Sequence, residues 1–178
     1  MVRDEYALRE LSKIGISHEI FPCPTLFASM HEHMPSAIER IGIILQTTKT
    51  PNQSIPMELS YASVWAIKKL REMGFSVEVV CHYIYKFAEF AQSLAPVRSS
   101  YDARDYLDIL NDYDLVISTR LYGAILANSI GKPAILLTED SRCIGAARHF
   151  RFIYVPDPSG LMENIESIRT ASFSEIRE

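Results

Sequence analysis

Residues 114–138 read Asp114-Leu-Val-Ile-Ser-Thr-Arg-Leu-Tyr-Gly-Ala-Ile-Leu-Ala-Asn-Ser-Ile-Gly-Lys-Pro-Ala-Ile-Leu-Leu-Thr138, and their pattern decides the fold. Leu115 to Ser118 is a short apolar, β-branched run, which predicts a strand. Thr119 and Arg120 interrupt it, and a helix-like segment from Leu121 to Ile130 follows. Gly131 stops that helix, Pro133 prevents its resumption, and Ala134 to Leu137 is a second strand. In an open parallel sheet, ligands sit beyond the carboxyl ends of strands, beside helix N-termini. Thr119, Arg120, Tyr122 and Gly123 fall at that place. A guanidinium above helix N–H groups suits an anion, although a solvated arginine at a strand end is the plainer reading.

Outward from this unit the same alternation continues. Strands are predicted over 41–45, 75–81, 97–99 and 152–155, and helices over 58–73, 84–94, 101–111 and 161–169. A short helix is placed at 145–149. Alternating strand and helix implies a three-layer α/β sandwich with a mainly parallel sheet and right-handed crossovers, Rossmann-like in kind. Before it lie an amphipathic helix at 4–13, a strand at 16–21 and a linker or short helix at 25–38. The expected division is therefore a remnant or linker over 1–35 and one α/β domain over 36–178.

Composition excludes several function classes. The chain has 178 residues, 48% of them hydrophobic and 22% charged, which suits a soluble globular protein with a real core. A net charge of −4 with no basic run argues against nucleic acid and acidic membranes as partners. No apolar stretch approaches the ~20 residues of a membrane span, and the start of the chain is no signal peptide. Cys23, Cys81 and Cys143 are scattered and odd in number, which points to a reducing compartment, with the cytoplasm expected. Neither a Gly-x-Gly-x-x-Gly nor a Walker pattern occurs, which counts against dinucleotides and ATPase chemistry.

Other candidates carry a functional and a plainer reading. His31 and His33 could hold a metal, but no third ligand follows, so a surface loop is favoured and no metal is expected. Glu139, Asp140 and Arg142 follow the strand at 134–137 and could bind a sugar or a ribose; a solvated loop is the alternative. The tyrosines between Tyr83 and Tyr113 could stack on sugar rings, although their helical spacing fits core packing better.

Three blocks resemble the polysaccharide pyruvyl transferase family. Residues 114–137 match its Asp, apolar strand, Ser/Thr-Arg-Leu-His-Gly, helix and Gly-x-Pro turn. Val2-Arg3-Asp4-Glu5-Tyr6-Ala7-Leu8 is similar to its Val-Arg-Asp-x-x-Ser block, and Phe21-Pro-Cys-Pro-Thr-Leu-Phe27 to its Asp-Pro-x-Phe element. The resemblance implies the C-terminal half of a GT-B-type transferase that moves a pyruvyl group from phosphoenolpyruvate to a sugar of a cell-surface polysaccharide. It implies Arg120 and Tyr122 as catalytic residues at the donor. Arg3, Thr119, Leu121, Gly123, Glu139 and Arg142 would bind substrate, and no cofactor is implied.

Two substitutions depart from that pattern. Tyr122 replaces the family's His; a phenol titrates near ~10 and donates a hydrogen bond, but does not shuttle protons at neutral pH as imidazole does. Cys23 stands where the family has Asp. On this mapping the family's first Rossmann-like half would be missing, which implies an expressed fragment, a broken gene or a separate subunit with little activity alone. A partner polypeptide or a homo-oligomer would then complete the cleft. Two rival readings are the nucleotide-sugar-binding half of a GT-B glycosyltransferase and a non-catalytic assembly domain.

Overall fold

The structure is a computed structural model and describes residues 5–17, 19–21, 23–29, 35–45, 57–81, 92–137, 143–146, 153–155 and 159–170. Strands β1 (Arg40–Ile44), β2 (Ser76–Val80), β3 (Val97–Arg98), β4 (Leu115–Ser118), β5 (Ala134–Leu137) and β6 (Ile153–Val155) form one sheet. Their order is β3-β2-β1-β4-β5-β6, and every pairing is parallel. This is the Rossmann order, in which the chain winds outward from the middle in one direction and then restarts in the other.

The strands are apolar on both faces because both faces are covered. Ile41, Ile43, Val77, Val79, Leu115, Ile117, Ile135 and Leu137 point to one side. There they meet Ala66, Ile67 and Leu70 of helix α2 (Met57–Glu72) and Leu161 and Ile165 of helix α5 (Ser159–Thr170). Ile44, Val80, Val116, Ala134 and Leu136 point to the other side. They pack against Tyr106, Ile109 and Leu110 of helix α3 (Asp105–Asn111) and Leu121, Ala124 and Ile125 of helix α4 (Leu121–Ser129). Each such Ile, Leu or Val contributes about 1.5–3 kcal/mol relative to exposure. Among the described residues no helix is long and apolar enough to cross a membrane.

The turns explain the element ends. Gly131 (φ 77°) ends α4: its N–H donates to Asn128 O and the Lys132 N–H to Ala127 O, both at 3.0 Å. That is a Schellman cap, and the left-handed residue in it favours glycine. Gly74 (φ 94°) closes α2 in the same way, with the Phe75 N–H donating to Leu70 O. At the amino end of the sheet, Asp114 Oδ2 accepts the Glu39 and Arg40 N–H groups at 2.9 and 2.8 Å. The carboxylate thus ties the start of β4 to the start of β1.

Several expectations shift. A strand at 16–21 does not form: among the described residues there, only Ile20 makes an isolated bridge. The helix expected from residue 101 starts at Asp105, because Asp102 turns the chain first by accepting the Arg104 N–H at 2.9 Å. The linker region holds a 3₁₀ turn at Pro24–Phe27 that packs on α4. Helix α1 (Glu5–Lys13) is as expected, and the short helix near 145–149 is a helical stretch at 143–146 within the described residues. Of the helix expected at 84–94, only 92–94 is described, and those residues are helical.

Candidate functional site at the beta4–alpha4 corner

The reversal of strand order lies between β1 and β4. In open α/β sheets the connections leave such a switch point on opposite faces, and ligands bind beyond the carboxyl ends of the two strands. On the β4 side this position is occupied by Ser118, Thr119, Arg120 and the first turn of α4. Its base is stitched to β1: the Thr119 N–H donates to Ile44 O at 3.0 Å and the Thr119 hydroxyl to the same oxygen at 3.3 Å.

Arg120 is the N-cap of α4, with extended backbone at φ −121° and ψ 127°. Its carbonyl accepts the Gly123 and Ala124 N–H groups at 3.1 and 3.3 Å, which starts the helix. The Arg120 side chain makes no capping hydrogen bond, and no acidic residue lies in the first turn. Helices ordinarily begin with a side-chain oxygen at this position and with negative charge nearby, because the N-terminus carries partial positive charge. Here an arginine occupies the N-cap position instead, and a cationic side chain near a helix N-terminus is unfavourable by about 0.3–1 kcal/mol in an exposed helix. An anion held between guanidinium and helix terminus reverses the sign of that term.

Ser118 completes the corner. Its hydroxyl accepts the Arg120 N–H at 3.0 Å and donates to Arg120 O at 2.7 Å, and the residue has no solvent exposure. Gly123 lies directly against it. A Cβ at Gly123 would come within 2.6 Å of both Ser118 Oγ and Ile44 Cδ1. The glycine is therefore required by the approach of α4 to the sheet, a reason independent of any ligand.

The remaining sequence candidates divide by position. Tyr122 is about half exposed on the first turn of α4, and Thr119 and Arg120 are half-buried beside it. Leu121, expected at the substrate, is buried in the core under α4. Arg3, Glu139, Arg142, His31 and His33 lie outside the described residues. Cys23, where the resemblance would place an Asp, is buried against the same core with its thiol toward Thr25 Oγ1 at 3.5 Å. The three cysteines are buried and in no disulfide, and burial pushes the pKa of the Cys81 thiol upward. Among the tyrosines, Tyr106 and Tyr113 are core residues whose hydroxyls donate to Cys81 O and to Glu78 Oε2, while Tyr101 is exposed. Ser118 escaped the sequence reading, because a serine ending an apolar run looks like any strand end.

With the strand order in place, the architecture is that of a Rossmann-like α/β domain. The fold is GT-B-like. Neither a protein-family model nor a curated protein sequence matches the chain. Solved structures do. The UDP-GlcNAc 2-epimerase of Methanocaldococcus jannaschii, in complex with UDP-GlcNAc and UDP, is similar over 95% of this chain and 53% of its own, with TM-score 0.65 and 14% identity. A putative UDP-N-acetylglucosamine 2-epimerase from Listeria monocytogenes is similar over 98% of this chain and 50% of its own, with TM-score 0.64 and 16% identity. A mutant of TarM from S. aureus, in complex with UDP among other ligands, matches 99% of this chain and 39% of its own at TM-score 0.57 and 13% identity. This chain thus spans about half the length of the epimerases it resembles.

Proposed function

We propose that this chain is the donor-binding half of a transferase of the polysaccharide pyruvyl transferase kind, acting on a saccharide acceptor. The observation that supports it is an arginine at the N-cap of a helix beside the strand-order reversal. Phosphoenolpyruvate carries a phosphate and a carboxylate, and a planar, permanently charged guanidinium grips either one through two N–H groups. In the reaction two sugar hydroxyls add to C2 of the donor, C3 gains one proton, and phosphate leaves with the other. Arg120 would hold the donor and stabilise the departing phosphate. Tyr122 would donate a hydrogen bond to it, and Thr119 would keep the corner fixed to β1. Arg3, Glu139 and Arg142 are proposed as further polar contacts to the substrates. A partner polypeptide, or a second copy of the chain, would supply the facing wall of the cleft.

One observation favours a second reading, in which the anion is the diphosphate of a nucleotide sugar: two of the structural neighbours were crystallised with UDP. A diphosphate on a helix N-terminus needs the same corner. Calorimetric titration of the purified chain with phosphoenolpyruvate and with UDP-GlcNAc separates the two. The first reading expects phosphoenolpyruvate to bind and Arg120→Ala to weaken it by about 10–100-fold, the loss of hydrogen bonds to a charged group. Binding of UDP-GlcNAc alone would replace that donor by the nucleotide sugar. Binding that ignores Arg120→Ala removes Arg120 from the site.

A further inference from the structure

Arg120 occupies a backbone conformation that its neighbours must impose. An extended N-cap is ordinary, but it is ordinarily stabilised by the capping side chain of that same residue, and arginine has no acceptor to offer. At this corner the stabilisation comes from two residues earlier. The Ser118 hydroxyl closes a small ring with the Arg120 peptide groups, accepting from the N–H at 3.0 Å and donating to the carbonyl at 2.7 Å. Both bonds are part-buried, since Ser118 is wholly buried and Arg120 half-buried. That carbonyl is also the acceptor for the Gly123 and Ala124 N–H groups, so one hydroxyl bears on both the residue and the start of α4.

The space for this hydroxyl exists only because residue 123 lacks a side chain, as a Cβ there would fall 2.6 Å from Ser118 Oγ. Ser118, Arg120 and Gly123 therefore form one unit: the glycine admits the hydroxyl, and the hydroxyl fixes the arginine.

We propose that Ser118 is the positioning residue of the anion site, acting through the Arg120 backbone to hold the guanidinium-bearing N-cap ready for its ligand. The proposal rests on the anion-binding reading of Arg120 for its functional consequence, whereas its structural core does not. Without the hydroxyl, the Arg120 peptide groups lose two of their hydrogen bonds, and any ordering then left to the moment of binding is subtracted from affinity. Alanine, which has no hydroxyl, does not do this at all.

Two measurements on the purified chain test the proposal. In amide hydrogen exchange, Ser118→Ala is expected to speed exchange at Arg120 at least tenfold while leaving Thr119, which donates to Ile44 O, protected. A purely structural role would loosen both amides together, and that result overturns the proposal, as does an unprotected Arg120 amide in the unsubstituted chain. In titrations with phosphoenolpyruvate, Ser118→Ala should weaken binding about five- to tenfold. The Ser118→Ala/Arg120→Ala pair should then bind no worse than Arg120→Ala alone, because the two residues act as one. Additive losses overturn the positioning role. Loss of binding in Arg120→Ala with none in Ser118→Ala does so too, whereas binding that ignores Arg120→Ala sinks the donor reading and leaves the exchange result to judge Ser118. Should Ser118→Ala not fold, Ser118→Cys keeps the volume with a weaker donor, and its Arg120 amide is expected to exchange at an intermediate rate; one as protected as in the unsubstituted chain overturns the proposal.

Discussion

Tyr113 lies flat against the backbone of Gly42: a Cβ at Gly42 would come within 2.5 Å of the Tyr113 ring. The glycine in the middle of β1 is the floor on which that ring rests. From there the Tyr113 hydroxyl reaches across to donate to Glu78 Oε2 at 2.7 Å, while Arg40 covers the ring at 5.9 Å from its centroid. Gly42→Ala should therefore destabilise the fold by about 2–3 kcal/mol, since the ring is fully enclosed and has nowhere to move. Urea denaturation measures this. A loss below about 0.5 kcal/mol would mean that the contact relaxes freely.

Gly123→Ala is expected to cost about 1–3 kcal/mol, because the new methyl meets both Ile44 and Ser118. Trimming the neighbour separates packing from function. Ile44→Val in the Gly123→Ala background should recover part of the stability, as read by thermal melting, while the crowded Ser118 hydroxyl stays displaced.

Asp114→Ala should lower stability by about 1–3 kcal/mol, leaving the Glu39 and Arg40 N–H groups without their acceptor. It also removes one of the two carboxylates that favour the charge on buried Lys132, whose pKa burial lowers. Anion binding should be unchanged, because Asp114 precedes β4 and Arg120 follows it, at opposite ends of the sheet. Chemical denaturation and titration of the same variant check both halves of this statement.

Burial, and then the bond to Glu78, raise the pKa of the Tyr113 phenol above its ordinary value. The folded chain therefore keeps this proton at pH values where the unfolded chain releases it, and stability must fall as pH rises above ~10. Below that pH the two states hold the same proton and the group is silent. Tyr113→Phe should be less stable at neutral pH and should lose less than the unsubstituted chain between about pH 10 and 11. Denaturation midpoints across that window decide it; parallel curves would remove Tyr113 as the cause.

By itself the sequence placed the main strands and helices of the sheet, though not the absence of a strand at 16–21 or the late start of the helix at Asp105. Runs such as Leu115 to Ser118 and Ala134 to Leu137 can only be buried strands, and Gly74 and Gly131 can only be stops, because period, length and left-handed turns are local properties. It also placed Arg120 at a strand-to-helix corner. Neighbours remained hidden, since strand order depends on which distant surfaces pack together. Only the tertiary structure set Ile44 beside Thr119 across 75 residues and so put the corner at the reversal of the sheet. It also gave two motif residues structural tasks: Asp114 fastens the far end of β1, and Gly123 clears room for Ser118. Both tasks arise from contacts with residues distant in the chain or around a turn, and spacing alone carries no record of them.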